Sequence, residues 1–299
     1  MSILISKKCR MKDELHIMNR QGVGVEQSYQ LCRKIAKESG SNFYQGMWFT
    51  LDRNKRDALF SIYAWMRAID DIADGDLEME EKINQLHAFY HQTEQLYAES
   101  TPLNDTSFWL ALHHTIQHYP IPLAYFRDML LGQLQSIQQN SYATFDDLYE
   151  YCYRVASTVG LICISIWGYE GGNAAQKMAE YRGIALQLTN IVRDVHLDAQ
   201  EGKWFIPAEW MEKTSELEQA LNKMIAQAEY YYAASKKLEK MVSKRGSLSL
   251  LLMTYSYASL LDKIKKQPQE VLQGHRIRLT RIEKLTLCIT GIFRWCFAT

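Results

Sequence analysis

The sequence predicts an all-helical protein, and three observations carry that expectation. Only 5 prolines and 15 glycines interrupt 299 residues, so few helix-breaking positions divide the chain. No stretch alternates apolar and polar residues with the period of two that a half-buried strand requires. No Gly-rich turn of the Rossmann or P-loop kind is present. In the absence of a linker or low-complexity segment, residues 25–299 read as one helical domain behind a polar leader over residues 1–24.

Taken in order, the first helix runs from Val25 to Ser39 and stops at Gly40, a good C-terminal residue. The polar turn from Asp52 to Arg56 then leads into a long helix through Asp70. Glu80 to Glu99 forms scaffold, with Ile83, Leu86, Phe89 and Leu96 as its buried stripe. Phe108 to His118 ends at Pro120 and Pro122, which remove backbone donors. His114 and His118 stand four apart, but no Glu of a zinc-protease pattern accompanies them, so they read as surface or half-buried residues. Helices follow over Leu123–Gln138, Asp146–Trp167 and Ala174–Asp194, the second carrying small residues Ala156, Ser157 and Gly160 that suit tight helix packing. A capping box at Ser215–Glu218 starts a helix to Val242, and Leu248–Lys266 gives another before Pro268.

Charge excludes some functions. Lys plus Arg and Asp plus Glu balance at 34 each, so no global field draws the protein to nucleic acid, and any anion site must be local. Six scattered cysteines lack metal-ligand spacing and suit a reducing, cytoplasmic setting. Ile3-Leu4-Ile5 is too short for the core of an export signal. The apolar tail, with Leu287, Ile289, Ile292, Phe293, Trp295 and Phe297, is expected to cap the bundle, with peripheral membrane contact as the second reading.

Two stretches carry chemistry. In the first, an apolar run from Tyr63 to Ile69 meets Asp70, Asp71 and Asp74. On a helix Asp70 and Asp74 share a face, and Asp71 points about 100° away. Like charges at a helix C-terminus oppose one another and the helix dipole, which a metal ion would relieve; an exposed acidic turn is the plain alternative. In the second, Gln187, Asn190, Asp194 and Asp198 fall at i, i+3, i+7 and i+11, a single polar stripe on an otherwise apolar helix. Such a stripe is costly against a dry core and suits a cavity filled by water or metal. Two opposed carboxylate pairs would hold Mg²⁺ ions that also bind substrate phosphates, which points to a diphosphate with apolar walls around its hydrocarbon.

These stretches, with Ser39-Gly40-Ser41, Tyr63-Ala64, Arg67, Tyr151-Cys152-Tyr153 and Val159-Gly160, resemble the squalene and phytoene synthases, from about Ser39 to Pro207 and more weakly to Arg276. The resemblance implies a single-domain helical bundle of the isoprenoid synthase type with a central cavity. It implies that Asp70, Asp74, Asn190, Asp194 and Asp198 hold Mg²⁺, or Mn²⁺ in its place. Ser39, Ser41, Arg67, Gln187, Arg193, Lys203, Tyr257 and Arg276 would bind diphosphate, while Tyr63 and Tyr151, with Arg67, would serve the chemistry. Three departures stand out: His196-Leu197-Asp198 lacks a Glu that the family usually carries, Lys203 replaces an Arg, and Asn42 stands where Phe is usual.

The spelling resembles most the bacterial presqualene diphosphate synthases of hopanoid routes. The expected activity is therefore a head-to-head condensation of farnesyl diphosphate to presqualene diphosphate or squalene. Phytoene synthesis from geranylgeranyl diphosphate, in carotenoid formation, is the alternative. NADPH use stays open, because no nucleotide fingerprint is visible and reducing members of the family need not carry one. A terpene cyclase or chain-elongating synthase is disfavoured by Gln187 and Asn190 ahead of Asp194, and a non-catalytic helical binding protein by the four intact aspartates.

Overall fold

The computed structural model describes residues 24–39, 42–98, 107–211 and 217–297. Gly40, Ser41 and the capping box up to Glu216 lie outside these, as do residues 1–23. The described residues are helical, with no strand among them and only two isolated bridges, Ser141 with Trp204 and Tyr169 with Val242.

Helix α1 covers residues 24–39, α2 Asn42–Met47, α3 Arg53–Asp74, α4 Met79–Ala98, α5 Phe108–His118 and α6 Leu123–Gln138. Asp52 starts α3 by accepting from the backbone N–H of Asn54 and Lys55 at 3.0 and 3.2 Å. The helix runs to Asp74, so the aspartates do fall at its C-terminal end.

The expected helix over 146–167 is three pieces: α7 (Phe145–Cys152), a π-helical turn (Tyr153–Ser157) and α8 (Thr158–Trp167). Thr144 and Asp147 close a capping box at the start of α7. Helix α9 then spans Gly172–Gln200, longer at its C-terminal end than the pattern indicated, and so carries Asp198 as well as Asp194. After α10 (Ala208–Met211), the helix expected to reach Val242 breaks into α11 (Leu217–Ala234) and α12 (Leu238–Met241). The cause is Arg182 of α9. Its buried guanidinium donates to the Ser235 carbonyl at 3.0 Å and pairs with Glu239 at 2.7 Å, drawing the chain out of the helix there. Helices α13 (Lys244–Lys266), α14 (Pro268–Leu272) and α15 (Arg281–Phe297) complete the bundle.

Two apolar clusters form the core. One joins Phe60, Trp65, Ile69, Phe126, Met129 and Trp167 of the first half with α8. The other surrounds α9 with Tyr151, Leu188, Ile191, Leu221, Ile225 and Leu260. Where they meet, Ile69 and Met129 of one and Tyr151 of the other line a cavity. His114 and His118 take no part in it: His114 Nδ1 shares a hydrogen bond with Tyr29 at 2.9 Å, and the two imidazoles stack at 4.0 Å. Among the described residues no helix is long and apolar enough to cross a membrane.

Candidate active site

Two cavities flank α9. One, of about 560 Å³, is lined by Ser39, Asn190, Arg193, Tyr257 and Arg276 among others. The other, of about 300 Å³, is lined by Asp70, Asp74, Tyr151, Gln187 and Lys203 with Met66, Met129 and Gln133. Helix geometry explains the division. Asn190 and Arg193 lean to one side of α9, Gln187 and Asp198 roughly 60° or more to the other, and Asp194 stands on the crest between them. The polar stripe is thus a ridge with a cavity on each slope.

Close backbone packing sets this geometry. A Cβ at Gly183 of α9 would sit 2.4 Å from Ser157 Cα and 2.6 Å from its nitrogen, so only glycine lets the π-helical turn lie on α9. Tyr151 leads into that turn and Gln187 follows Gly183 by one helical turn, so the contact brings both to one cavity. Gly160 makes a second contact of the same kind, against the Ala179 carbonyl. The small residues serve helix packing, as the sequence pattern suggested. On the far side of the turn, a Cβ at Gly132 of α6 would meet Val155 at 2.7 Å.

That approach delivers Gln133, whose Nε2 donates to Asp70 Oδ1 at 2.5 Å. Sequence reasoning passed over Gln133. Met129, Gln133 and Ser136, at i, i+4 and i+7, line the smaller cavity, but Gln135 and Gln138 on the same helix leave no single polar stripe in the sequence to mark Gln133. Lys203 comes from the loop after α9. Gly202 takes the left-handed conformation (φ +78°), Lys203 N–H donates to the Asp198 carbonyl at 2.7 Å, and Trp204 N–H to the Asn140 carbonyl at 2.6 Å.

Electrostatics mark both slopes. Burial first, then the neighbouring Asp74 and Asp71, push Asp70 up to about 7, against the pull of Arg67 and Gln133. Burial, then Asp194 and Glu201, push Asp198 up to about 6, opposed by Lys203 and Arg193. Tyr151 is raised well above the usual phenol range, by burial first and then by Cys152, Asp198, Asp70 and Asp74. Asp194 is differently placed. Arg193 Nε donates to its Oδ1 at 2.9 Å, and Arg276 grips the same carboxylate with Nε at 2.9 Å and Nη2 at 3.2 Å.

The donor set fits Mg²⁺. It consists of carboxylates and an amide oxygen, hard ligands suited to that ion. Among the described residues no three His, Cys, Asp or Glu side chains converge on one point. Asn190 Oδ1 is buried with no hydrogen-bond partner, an acceptor that a cation would satisfy. Asp70 and Asp74, with Asp198 on the same side of α9, could hold an ion on one slope, and Asn190 on the other, with Asp194 on the crest between them.

Not every selected residue lines a cavity. Arg67 is half exposed and pairs with Asp71 at 2.6 Å, so both face solvent. Tyr63 is buried in α3, near enough to Tyr257 to influence its hydroxyl. Ser39 lines the larger cavity and donates to the Ala36 carbonyl at 2.7 Å; Ser41 lies outside the described residues.

An all-helical bundle with acid-bearing helices and an arginine-lined cavity defines the isoprenoid synthase class. The family model for squalene/phytoene synthase matches residues 36–283. The chain belongs to the squalene/phytoene synthase family, whose members are prenyltransferases that use a divalent metal with diphosphate substrates. It is 36% identical over 214 residues to a 15-cis-phytoene synthase of Synechococcus elongatus, covering 68% of each chain. It is 31% identical over 284 residues to a phytoene synthase of Mycobacterium tuberculosis, covering 90% of this chain and 91% of that one. Among solved structures, a dehydrosqualene synthase with bound ligand superposes with a TM-score of 0.78 at 25% identity, over 90% of this chain and 96% of that one. A squalene synthase of Alicyclobacillus acidocaldarius shares the fold, with a TM-score of 0.75 at 21% identity over 83% and 96% of the two chains.

Proposed function

We propose that the protein condenses two molecules of geranylgeranyl diphosphate head to head, as a phytoene synthase. The observation that carries this reading is the identity to phytoene synthases, 36% in one case and 31% over 90% of the chain in another. The expectation of farnesyl diphosphate, drawn from the spelling of the motifs, yields to it.

Arg193, Arg276 and Tyr257 bind one diphosphate in the larger cavity, and Lys203 reaches the other from the smaller. Mg²⁺, held by Asp70 and Asp74 and by Asn190, Asp194 and Asp198, would supply charge neutralisation for the departing diphosphate. Met66, Ile69 and Met129 give apolar walls for the hydrocarbon. Loss of one diphosphate leaves an allylic cation, a double bond of the second molecule attacks it, and proton loss closes a cyclopropyl diphosphate. Burial keeps the proton on Tyr151, so the departing diphosphate is the base and Tyr151 orients. A second ionisation, rearrangement and proton loss give the hydrocarbon, with no reductant consumed.

The test is incubation with Mg²⁺ and either geranylgeranyl or farnesyl diphosphate alone, followed by extraction of the hydrocarbon. Phytoene from the longer substrate is expected. Turnover of farnesyl diphosphate in strong preference would sink this reading and restore the shorter one.

A further inference from the structure

The carboxylates around the site are held in two different ways. Asp194 is gripped by two guanidinium groups, Arg193 and Arg276, and Asp71 by a third, Arg67. Asp70 has no ion pair among the described residues. Its one side-chain hydrogen bond there comes from a neutral group, the Gln133 amide, whose Nε2 donates to Oδ1 at 2.5 Å. Against an ionised carboxylate only the NH₂ end of the amide can stand, because the carbonyl oxygen would repel it. The difference matters to a cation. A guanidinium fixes a carboxylate and cancels its charge, so a metal ion must compete with it. An amide fixes the carboxylate and leaves the charge in place. With Oδ1 engaged, Oδ2 of Asp70 is left without a hydrogen bond among the described residues, on a side chain that lines the same cavity as Asp74.

The amide is itself fixed from behind. Gln133 follows Gly132, where a Cβ would meet Val155 at 2.7 Å and the Arg154 side chain at 3.0 Å, so α6 lies hard against the π-helical turn. The Gln133 carbonyl accepts from Ser136 Oγ at 2.8 Å. Tyr151 leads into the same turn from α7 and lines the same cavity. One piece of backbone therefore sets Tyr151 and, through Gln133, Asp70. The other amides of α6 are used elsewhere: Gln135 and Gln138 line a separate groove with Glu150 and Arg154, where Gln135 accepts from Arg154 at 3.0 Å.

We propose that Gln133 is a positioning residue for the metal wall, its amide holding the Asp70 carboxylate without neutralising it and so setting the affinity of the smaller cavity for a divalent cation. The inference rests on the reading of Asp70 as a metal ligand and holds whichever prenyl diphosphate the site takes.

The test is equilibrium dialysis of the full chain against Mn²⁺ alone, which requires no turnover. Gln133→Met keeps the length of the side chain and removes the donor. It is expected to raise the Mn²⁺ concentration for half-saturation by about tenfold with melting unchanged. Gln133→Lys keeps a donor and adds a charge, and is expected to weaken Mn²⁺ binding further while melting no lower, which loss of a purely structural hydrogen bond would not do. The double variant Asp70→Asn/Gln133→Met is expected to bind no more weakly than Asp70→Asn alone, since the amide acts through that carboxylate. In turnover the effect is expected in the Mg²⁺ concentration for half-maximal rate, raised by a similar factor, more than in kcat. Mn²⁺ binding that falls in Asp70→Asn and is kept in Gln133→Met overturns this inference alone, as do losses that add in the double variant. Equal Mn²⁺ binding by the unaltered chain and Asp70→Asn removes the metal reading and this inference with it. Should Gln133→Met melt lower, Gln133→Lys decides: undiminished Mn²⁺ binding in that variant makes Gln133 structural and overturns the proposal.

Discussion

Asp70 sits where burial and Asp74 both resist its charge, and this has a measurable cost in the metal-free protein. Its carboxyl is pushed up to about 7 from the ordinary aspartate range of about 4, so between these pH values the folded chain holds a proton that the unfolded chain has lost. Stability therefore falls as pH rises from about 4 to about 7 and stays low above that. Asp70→Asn is expected to raise stability in chelator at pH 8 by about 2 kcal/mol, discounted for solvent around the carboxyl, with no gain at pH 4. The same variant is expected to lose nearly all turnover, on the order of a thousandfold. Calorimetry at the two pH values and product assay check this pair; a variant both active and no more stable would remove Asp70 from the metal wall. At this scale the four-residue spacing put Asp70 and Asp74 on one face of the helix, and both line one cavity. Gln133 was not picked out, since α6 also carries Gln135 and Gln138 and only the fold brings Gln133 to Asp70.

The π-helical turn over Tyr153–Ser157 and its contact with Gly183 decide how Tyr151 meets α9. Backbone atoms of Ala156 and Ser157 within 3 Å of a Cβ at Gly183 cannot move aside as a side chain could. Gly183→Ala is expected to cost about 2–3 kcal/mol of stability. It is also expected to lower turnover by on the order of tenfold or more, because the two helices separate and misalign Tyr151 against Gln187. Denaturant unfolding and steady-state kinetics measure both; an unchanged kcat would detach the turn from the site. Most helices were readable from apolar spacing and caps such as Asp52, whereas the turn was not. A π-helical turn adds one residue to a helical pattern that otherwise looks continuous, and what holds it here is tertiary packing. The break at Ser235 was hidden for the same reason, since Arg182 lies 53 residues away.

Across the whole molecule, the two apolar clusters meet along a seam, and the smaller cavity beside α9 lies on it, with Ile69 and Met129 from one cluster and Tyr151 from the other. The sequence carried the helices and the acid pairs that face this seam. It did not carry the division into two cavities or the contact between Asp194 and Arg276, which joins α9 to the segment leading into α15. On the roles proposed for Asp194 and Arg276, that contact would make ligand binding an exchange of partners rather than an addition. A cation would have to take Asp194 from two guanidinium groups, and a diphosphate would have to take Arg276 from a carboxylate, so each arrival would release the group that the other requires. Arg276→Gln is accordingly expected to strengthen Mg²⁺ binding in the absence of diphosphate by a few-fold, about 1 kcal/mol, while weakening pyrophosphate binding. Titration calorimetry with each ligand separately gives the two signs, and Mg²⁺ binding that weakens would show the pairing to be incidental. The resting protein keeps Asp194 and Arg276 matched against each other, and on the proposed roles substrate and metal would enter by separating a couple already formed.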